Sequence, residues 1–324
     1  MDSHIWAFMT DRQKGLMPAI AELFPYSEHR YCVRHIHTNF RNTFRGKALK
    51  DQLWSCAKAT YKATYDRSME NLKDMSVGAF QYIQKIEPKH WTRSHFQSQF
   101  KCDILLNNLC EVFNSQILEA RTKGIITMNE MIRTQLMKRI QKRRDEMKKV
   151  TTTHCPRILK KLERSKQLSW FYTTTWSGGD KYQVLGPDGQ FVVDKKDWYC
   201  SCRRWQLSGI PCGHAVSMLY YNREKPEDYL HSCYEVRTFI DTYRHILNPT
   251  HDKDSWPKSD QCPIIPPEPV NNRRGRRTIL RRREMDENRG FTKGKVSKKG
   301  VKNKCSMCGA TGHNKKISWA VNQI

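Results

Sequence analysis

Residues 198–219 read WYCSCRRWQLSGIPCGHAVSML and contain three cysteines and one histidine in two closely spaced pairs. Cys200 and Cys202 are separated by one residue, nine residues follow, and Cys212 and His214 are again separated by one. Three thiolates and one imidazole complete a tetrahedral set for Zn²⁺ and leave no coordination position open for water or substrate. The spacing therefore predicts a closed, structural zinc site.

The residues around these four ligands predict a small ββα unit. If 198–202 is extended, the period of two places both cysteines on one face of a strand. Between the two ligand pairs a turn is predicted from Gly209, Pro211 and Gly213. A helix beginning beside His214 is predicted from the apolar residues Ala215, Met218 and Leu219.

The Cys-x-Cys, spacer, Cys-x-His arrangement resembles the SWIM zinc finger, and all four ligand positions of that pattern are present. The resemblance implies a DNA-binding or protein-binding module instead of a catalytic centre. The alternative is four scattered soft residues in a reduced protein. The regular spacing and the turn residues argue against it.

Composition restricts the class of protein. The chain has 324 residues, enough for about two domains with tails, and its formal net charge of +26 implies an anionic partner. No apolar run approaches the roughly 18 residues of a membrane span, so nucleic acid is favoured over a membrane. Twelve cysteines without a signal-peptide pattern indicate a reducing compartment, where clustered cysteines bind metal more often than they form disulfides. We expect a nuclear location.

The beginning of the chain predicts a strand followed by a helix. The run HIWAFM (4–9) predicts a buried strand, Asp11 follows it, and the spacing of Leu16, Ile20 and Leu23 predicts a helix that ends at Pro25. An acidic residue beyond the carboxyl end of a strand is where open α/β sheets place their chemistry. The alternative, which the local chemistry favours, is that Asp11 is the N-cap of the helix.

Cys32 and His35 are three residues apart and can share one helical face. Two soft ligands without a second pair do not close a zinc site. From spacing alone, Cys32 and Tyr31 are expected to pack in the interior and the neighbouring histidines, His35 and His37, to be exposed.

Residues 46–90 are helical in pattern, and further helices are predicted within 105–123 and over about 128–150. Two apolar stripes are predicted to form core: Leu49, Leu53, Ala57 and Tyr61, then Leu72, Met75, Ala79, Phe80 and Ile83, with a stop at Pro88. Asn108 can cap a helix that carries Glu111 in its first turn. The helix dipole stabilises a carboxylate at that position, and this alone can account for Glu111. A further helix over 128–150 presents Met128, Ile132, Leu136, Ile140 and Met147 on one face.

The order of these motifs over about 5–249 resembles the plant Mutator-like (MULE, MuDR-type) transposases. The matching order is a strand with Asp11, then Cys32-x-x-His35, a helical insertion, Asn107-Asn108-x-x-Glu111, and the SWIM pattern. The resemblance implies an RNase H-like domain interrupted by helices. Enzymes of that family cut and join DNA strands, and their Asp-Asp-Glu triad holds the two divalent ions, such as Mg²⁺, that this reaction needs.

By motif position, Asp11 would be the second aspartate of the triad, Glu111 the glutamate, and Cys32 and His35 the family's Cys-x-x-His element. The first aspartate belongs to an earlier strand, for which the ten residues before Asp11 leave no room. The resemblance therefore predicts an incomplete remnant of the catalytic site. Mg²⁺ is expected only if another residue or another chain supplies the missing aspartate.

The segment before the zinc ligands predicts a hairpin. Strand patterns at 182–185 and 191–193 flank Pro187-Asp188-Gly189, which is a strong turn signal. After the ligands, a closing helix that stops at Pro249 is predicted from Val236, Phe239, Ile240, Tyr243 and Ile246.

The end of the chain is basic. Residues 273–304 contain 8 Arg and 6 Lys against 3 acidic residues, and we expect a disordered arm that binds phosphates or directs nuclear import. A merely solubilising tail is the alternative. The arm's candidate nucleic-acid-binding residues are Arg273, Arg274, Arg276, Arg277, Arg281, Arg282 and Arg283. Beyond it, Cys305, Cys308 and His313 resemble a zinc knuckle whose fourth position, Ser318, is a poor ligand, so weak zinc binding is expected.

The sequence thus predicts an α+β protein in four parts. Residues 1–150 form a partial RNase H-like α/β remnant with a helical insertion, and 151–249 form the hairpin, the ββα zinc module (core 182–219) and the closing helix. Residues 250–304 form a Pro-rich and then basic, disordered arm, and 305–318 a degenerate knuckle.

We expect a transposase-derived, zinc-binding protein that contacts nucleic acid, preferably DNA, or a protein partner, without catalysis and without a membrane. Two alternatives stay open: an active DNA transposase, and a non-functional transposon fragment.

Overall fold

The computed structural model describes residues 6–12 and 15–257. Within these residues the chain is a mixed α+β protein with eleven α-helices and two small sheets. The basic arm at 273–304 and the knuckle ligands Cys305, Cys308 and His313 lie outside the described residues. No helix in the described part is both long enough and apolar enough to cross a membrane.

The chain begins with a parallel β-α-β unit. Strand β1 (Ala7–Thr10) pairs with β2 (Glu28–Tyr31), and helix α1 (Leu16–Leu23) connects them. The predicted strand is confirmed at 7–9, but Trp6 lies outside it. The prediction that the strand is buried was wrong, since Thr10 is the one buried residue of β1. Its one strand neighbour within the described residues is β2, so most of β1 stays accessible.

Asp11 follows β1 directly and is exposed. The interpretation of Asp11 as the helix cap was wrong, because α1 begins at Leu16 with Gly15 in the N-cap position. The connection between strand and helix is longer than the cap interpretation required.

A helical layer follows, and it contains the larger core. Its helices are α2 (Val33–Thr43), α3 (Lys47–Lys58), α4 (Lys62–Met75) and α5 (Val77–Gln84). Both predicted stripes are confirmed as core in their centres, where Leu53, Ala57, Leu72, Ala79 and Ile83 are fully buried. Met75 is exposed because it is the last residue of α4.

The next two helices, α6 (Asn108–Gln116) and α7 (Ile125–Lys148), confirm the predicted helical pattern but contain no buried residue. Asn107, not Asn108, is the N-cap residue of α6, and its side chain makes no capping bond. The five apolar positions predicted on one face of α7 are half-buried. These helices therefore cover the protein and do not build its core.

The third part contains a helix that the sequence did not predict, α8 (Pro156–Ser169), and an antiparallel sheet. The strands, in spatial order, are β3 (Thr173–Trp176), β4 (Lys181–Gly186), β5 (Gly189–Asp194) and β6 (Tyr199–Cys200). The predicted hairpin is confirmed: Gly186 pairs with Gly189 and leaves a two-residue turn, Pro187–Asp188. Gly189 has φ +120°, which favours glycine.

The predicted ββα unit is larger than expected. The spacer between the ligand pairs was predicted to be a turn, but it contains the short helix α9 (Arg204–Ser208). Cys202 lies in a turn after β6, so the prediction that both cysteines lie on one strand was wrong. Helix α10 (Gly213–Tyr221) is confirmed, and seven of its nine residues are buried against the sheet and α8.

The closing helix α11 (Val236–Thr242) ends well before Pro249, contains no buried residue, and packs on α7.

Candidate metal centre

Four side chains from two short segments meet at the carboxyl end of β6. Cys200 ends that strand, Cys202 lies in the following turn, Cys212 is the N-cap residue of α10, and His214 lies in its first turn. All four are buried, and their ligand atoms lie within 4.8 Å of one another. Within the described residues this is the one group of three or more His, Cys, Asp or Glu side chains with such spacing.

The distances between these atoms match the edges of a zinc tetrahedron. Zn–S bonds of about 2.3 Å and a Zn–N bond of about 2.0 Å place neighbouring ligand atoms about 3.5–3.8 Å apart. The Sγ atoms of Cys202 and Cys212 are 3.6 Å apart, and Nδ1 of His214 lies 3.6 Å from Sγ of Cys200 and 3.9 Å from Sγ of Cys212. The set therefore fits one tetrahedral ion.

The chemistry of the donor set also fits Zn²⁺. Contacts with Cys202 and Cys212, and then burial, raise the pKa of the Cys200 thiol. Although burial opposes it, contacts with Cys200 and Cys202 lower the pKa of the Cys212 thiol. A bound Zn²⁺ would hold all three sulfurs as thiolates, because it coordinates that form. With three sulfurs and one nitrogen, the site has the ligands of a closed structural centre and no open position for a reaction.

The imidazole of His214 is held on two sides by aromatic rings. Phe191 of β5 stacks on it at a centroid distance of 3.9 Å, and Tyr172 approaches it edge-on at 4.4 Å. Its Nε2 atom lies 3.4 Å from Oδ1 of Asp188, in the β4–β5 turn. Burial, then the charge of Asp188 and a hydrogen bond to it, raise the pKa of Tyr172 to about 12.

Tyr172 also explains why two glycines border the site. A Cβ added to Gly213 would lie 2.8 Å from Cε2 of Tyr172, and one added to Gly186 would lie 2.0 Å from its Cδ1. The tyrosine ring therefore fills the space that side chains at these positions would need.

The spacer 203–211 joins the metal centre to the helical layer. Arg203 donates hydrogen bonds to the backbone carbonyls of Ser94 and Phe96, the latter at 2.8 Å, and approaches that of Thr60 at 3.5 Å. Leu207 of α9 is fully buried in the core of the helical layer. The zinc module is thus docked on the helices through the residues between its own ligands.

The residues predicted to form a catalytic remnant are arranged differently from the four zinc ligands. The N–H of Cys32 donates to the carbonyl of Thr10 at 2.8 Å, and the N–H of Asn107 approaches Sγ of Cys32 at 3.3 Å. The backbone thus brings together the segments that carry Asp11, Cys32 and Glu111. The carboxylate of Glu111 is exposed and accepts a hydrogen bond from Arg34 at 2.7 Å. Neither Asp11 nor Glu111 belongs to a group of three metal-ligating side chains in the described part.

Cys32 and Tyr31 are buried just before α2, as predicted. The prediction of exposed histidines was wrong, because His35 is half-buried and His37 is buried. Nδ1 of His35 is buried without a hydrogen-bond partner. Cys32 and His35 belong to no group of three or more candidate ligands in the portion of the chain that the structure describes.

Asp188, Tyr172, Phe191 and Arg203 are site residues that the sequence did not reveal. Asp188 was interpreted only as a turn residue, although a carboxylate at the tip of a hairpin preceding a Cys/His site is a usable signal. The contact of Arg203 spans more than a hundred residues, and no local pattern predicts it.

Comparison with known protein families matches residues 173–222 to the SWIM zinc finger. The matched range begins at the first residue of β3, ends just after α10, and contains all four ligands and Asp188. No curated protein and no solved structure was found to match the chain. The family match and the geometry together identify a SWIM-type, structural zinc site.

Proposed function

We propose that this chain is a transposase-derived nuclear protein that uses its SWIM zinc finger and a basic arm to bind nucleic acid, preferably DNA, or a protein partner, without catalysis. The observation that carries the proposal is the closed four-ligand centre, because a metal site with no open position stabilises a binding module and does not activate a substrate.

Charge supports an anionic partner. The basic segment 273–304 contributes +11 of the net +26, so more than half of the excess positive charge lies elsewhere in the chain. A protein that neutralises several phosphates gains most of its affinity from the release of counterions. Such a charge distribution favours DNA or RNA contact both within residues 273–304 and outside them.

Exposed aromatic side chains support a contact surface on the zinc module. Trp170, Phe171 and Trp176 are 85%, 67% and 54% exposed. Large exposed aromatic residues stack with unpaired bases or become anchors in protein interfaces. These exposed aromatic side chains are the reason for proposing a protein partner as the second candidate.

The zinc part is tested on the full chain by elemental analysis after dialysis. One zinc ion per chain is expected. It should be lost in Cys202→Ser and retained in Cys110→Ser, whose cysteine is exposed and is not one of the four clustered ligands. A wild-type chain without bound zinc would refute the proposal.

The nucleic-acid part is tested by fluorescence anisotropy with a labelled DNA duplex between about 50 and 200 mM salt. Affinity should fall steeply as salt rises. Replacing Arg281, Arg282 and Arg283 with alanine should reduce the slope of log K against log salt by up to about 3. Absence of binding at the lowest salt would contradict this part and leave the protein partner.

The enzymatic alternative has one observation in its favour, the convergence of the Asp11, Cys32 and Glu111 segments. The exposed Glu111 carboxylate, however, is paired with the Arg34 guanidinium, which a bound metal ion would have to displace. A DNA-nicking assay with Mg²⁺ or Mn²⁺ tests it. Nicking by the wild type that is lost in Glu111→Gln would establish catalysis.

A further inference from the structure

The turn between β4 and β5 reaches the metal centre from a part of the sequence that supplies no ligand. Its residue Asp188 places Oδ1 3.4 Å from Nε2 of His214. The Asp188 side chain is 39% exposed and the His214 side chain 1%. The carboxylate thus covers the outer edge of a ring that is otherwise buried.

The opposite edge of the ring faces the sulfurs. Nδ1 of His214 lies 3.6 Å from Sγ of Cys200 and 3.9 Å from Sγ of Cys212, so Nδ1 is the nitrogen that points into the tetrahedron. A coordinating imidazole nitrogen carries no proton, and the single ring proton is then on Nε2, which faces Asp188. The N–H of a metal-bound histidine is usually donated to a carboxylate, carbonyl or water.

The neighbours of Asp188 hold it in this position. The Gly186–Gly189 pair closes the turn that carries it, and the Tyr172 ring packs against the same imidazole. Phe191, two residues after Gly189, stacks on the imidazole. One hairpin therefore supplies both the carboxylate and one aromatic wall.

We propose that Asp188 is a positioning residue of the zinc centre: it accepts the Nε2 proton of His214 in a hydrogen bond and fixes the tautomer and ring orientation in which Nδ1 coordinates Zn²⁺. This inference rests on the zinc-binding part of the proposed function. It adds a fifth functional residue to the four ligands.

The test compares the full-length wild type with Asp188→Ala, Asp188→Asn and the matched control Asp180→Ala, which removes an exposed aspartate from the β3–β4 loop of the same sheet. Zinc affinity is measured by competition with a chromophoric chelator. Loss of such a partner typically weakens metal binding about 10- to 100-fold, which is the change expected for Asp188→Ala. Asp188→Asn keeps an acceptor oxygen and suits a turn, so a smaller loss is expected. Asp180→Ala should bind like the wild type.

The second measurement is the histidine ¹⁵N spectrum of the zinc-loaded wild type, which should show Nε2 of His214 protonated and Nδ1 metal-bound. A proton on Nδ1 would overturn the inference, as would wild-type zinc affinity in both Asp188 variants. If Asp188→Ala does not fold, the zinc affinity of Asp188→Asn relative to the wild type decides whether Asp188 positions His214. A wild-type chain that binds no zinc would instead refute the proposed function.

Discussion

Replacing Arg203 with alanine tests whether the zinc module and the helical layer are one cooperative unit. The guanidinium donates to the carbonyls of Ser94 and Phe96 and approaches that of Thr60. Its removal leaves these carbonyls without their charged donor in a partly buried interface. We expect the zinc to stay bound while the free energy of unfolding falls.

The size of the expected loss in the free energy of unfolding follows from these hydrogen bonds. A hydrogen bond to a charged group contributes about 1.5–3 kcal/mol. The guanidinium donates two such bonds, to the carbonyls of Ser94 and Phe96, whereas its 3.5 Å contact with Thr60 is at the limit. Burial lowers the pKa of Arg203, which shows that desolvation of the guanidinium offsets part of this gain. The expected loss is therefore about 2–4 kcal/mol.

The assay is urea unfolding of the zinc-loaded full chain followed by far-UV circular dichroism, where this loss corresponds to a midpoint shift of roughly 1 M. Arg203 has φ +61°, and alanine keeps the same backbone strain, so the comparison isolates the side chain. Arg204→Ala removes the exposed neighbouring charge and should change stability by less than about 0.5 kcal/mol. Equal midpoints for Arg203→Ala and the wild type, or equal losses in both variants, would refute the docking argument.

Three further outcomes follow from burial. Leu207→Ala removes a fully buried side chain from the helical core and should cost about 2–5 kcal/mol in the same urea assay. Gly213→Ala places a Cβ 2.8 Å from the Tyr172 ring, so it should lower the amount of zinc retained after dialysis against a chelator. Burial raises the pKa of Cys56 to about 12, so iodoacetamide at about pH 8 should leave it unmodified while exposed Cys110 is alkylated, as peptide mass spectrometry would show.

Local patterns predicted the parts of this structure that local chemistry determines. The two ligand pairs are each separated by one residue, so each pair is brought together by the backbone of a single turn or helix start. The β4–β5 hairpin follows from the Pro187-Asp188-Gly189 signal. The cores of α3 to α5 follow from apolar residues at helical spacing.

What the sequence did not predict depends on charged or distant groups. Strand β2 reads EHRY, yet Arg30 is 1% exposed, because its guanidinium binds the carboxylate of Glu28 two residues away. A search for alternating apolar residues does not find such a strand. The spacer helix α9 was missed for a related reason: Gly209 and Pro211 indicate a turn, and the helix before them is stabilised by a core that other parts of the chain supply.

Removal of zinc should therefore disturb more than the zinc module. Cys202 and Cys212 flank the spacer, so loss of the ion releases both of its ends, and five residues are too few for α9 to persist as an isolated helix. The contacts of Arg203 and Leu207 with the helical layer should then weaken. Hydrogen–deuterium exchange after chelation is expected to increase at 198–219 and also at 91–96, and Cys202→Ser should give the same pattern without a chelator. An increase confined to 198–219 would show that the helical layer is stable without the metal. The contacts of the spacer would then contribute nothing to the stability of that layer.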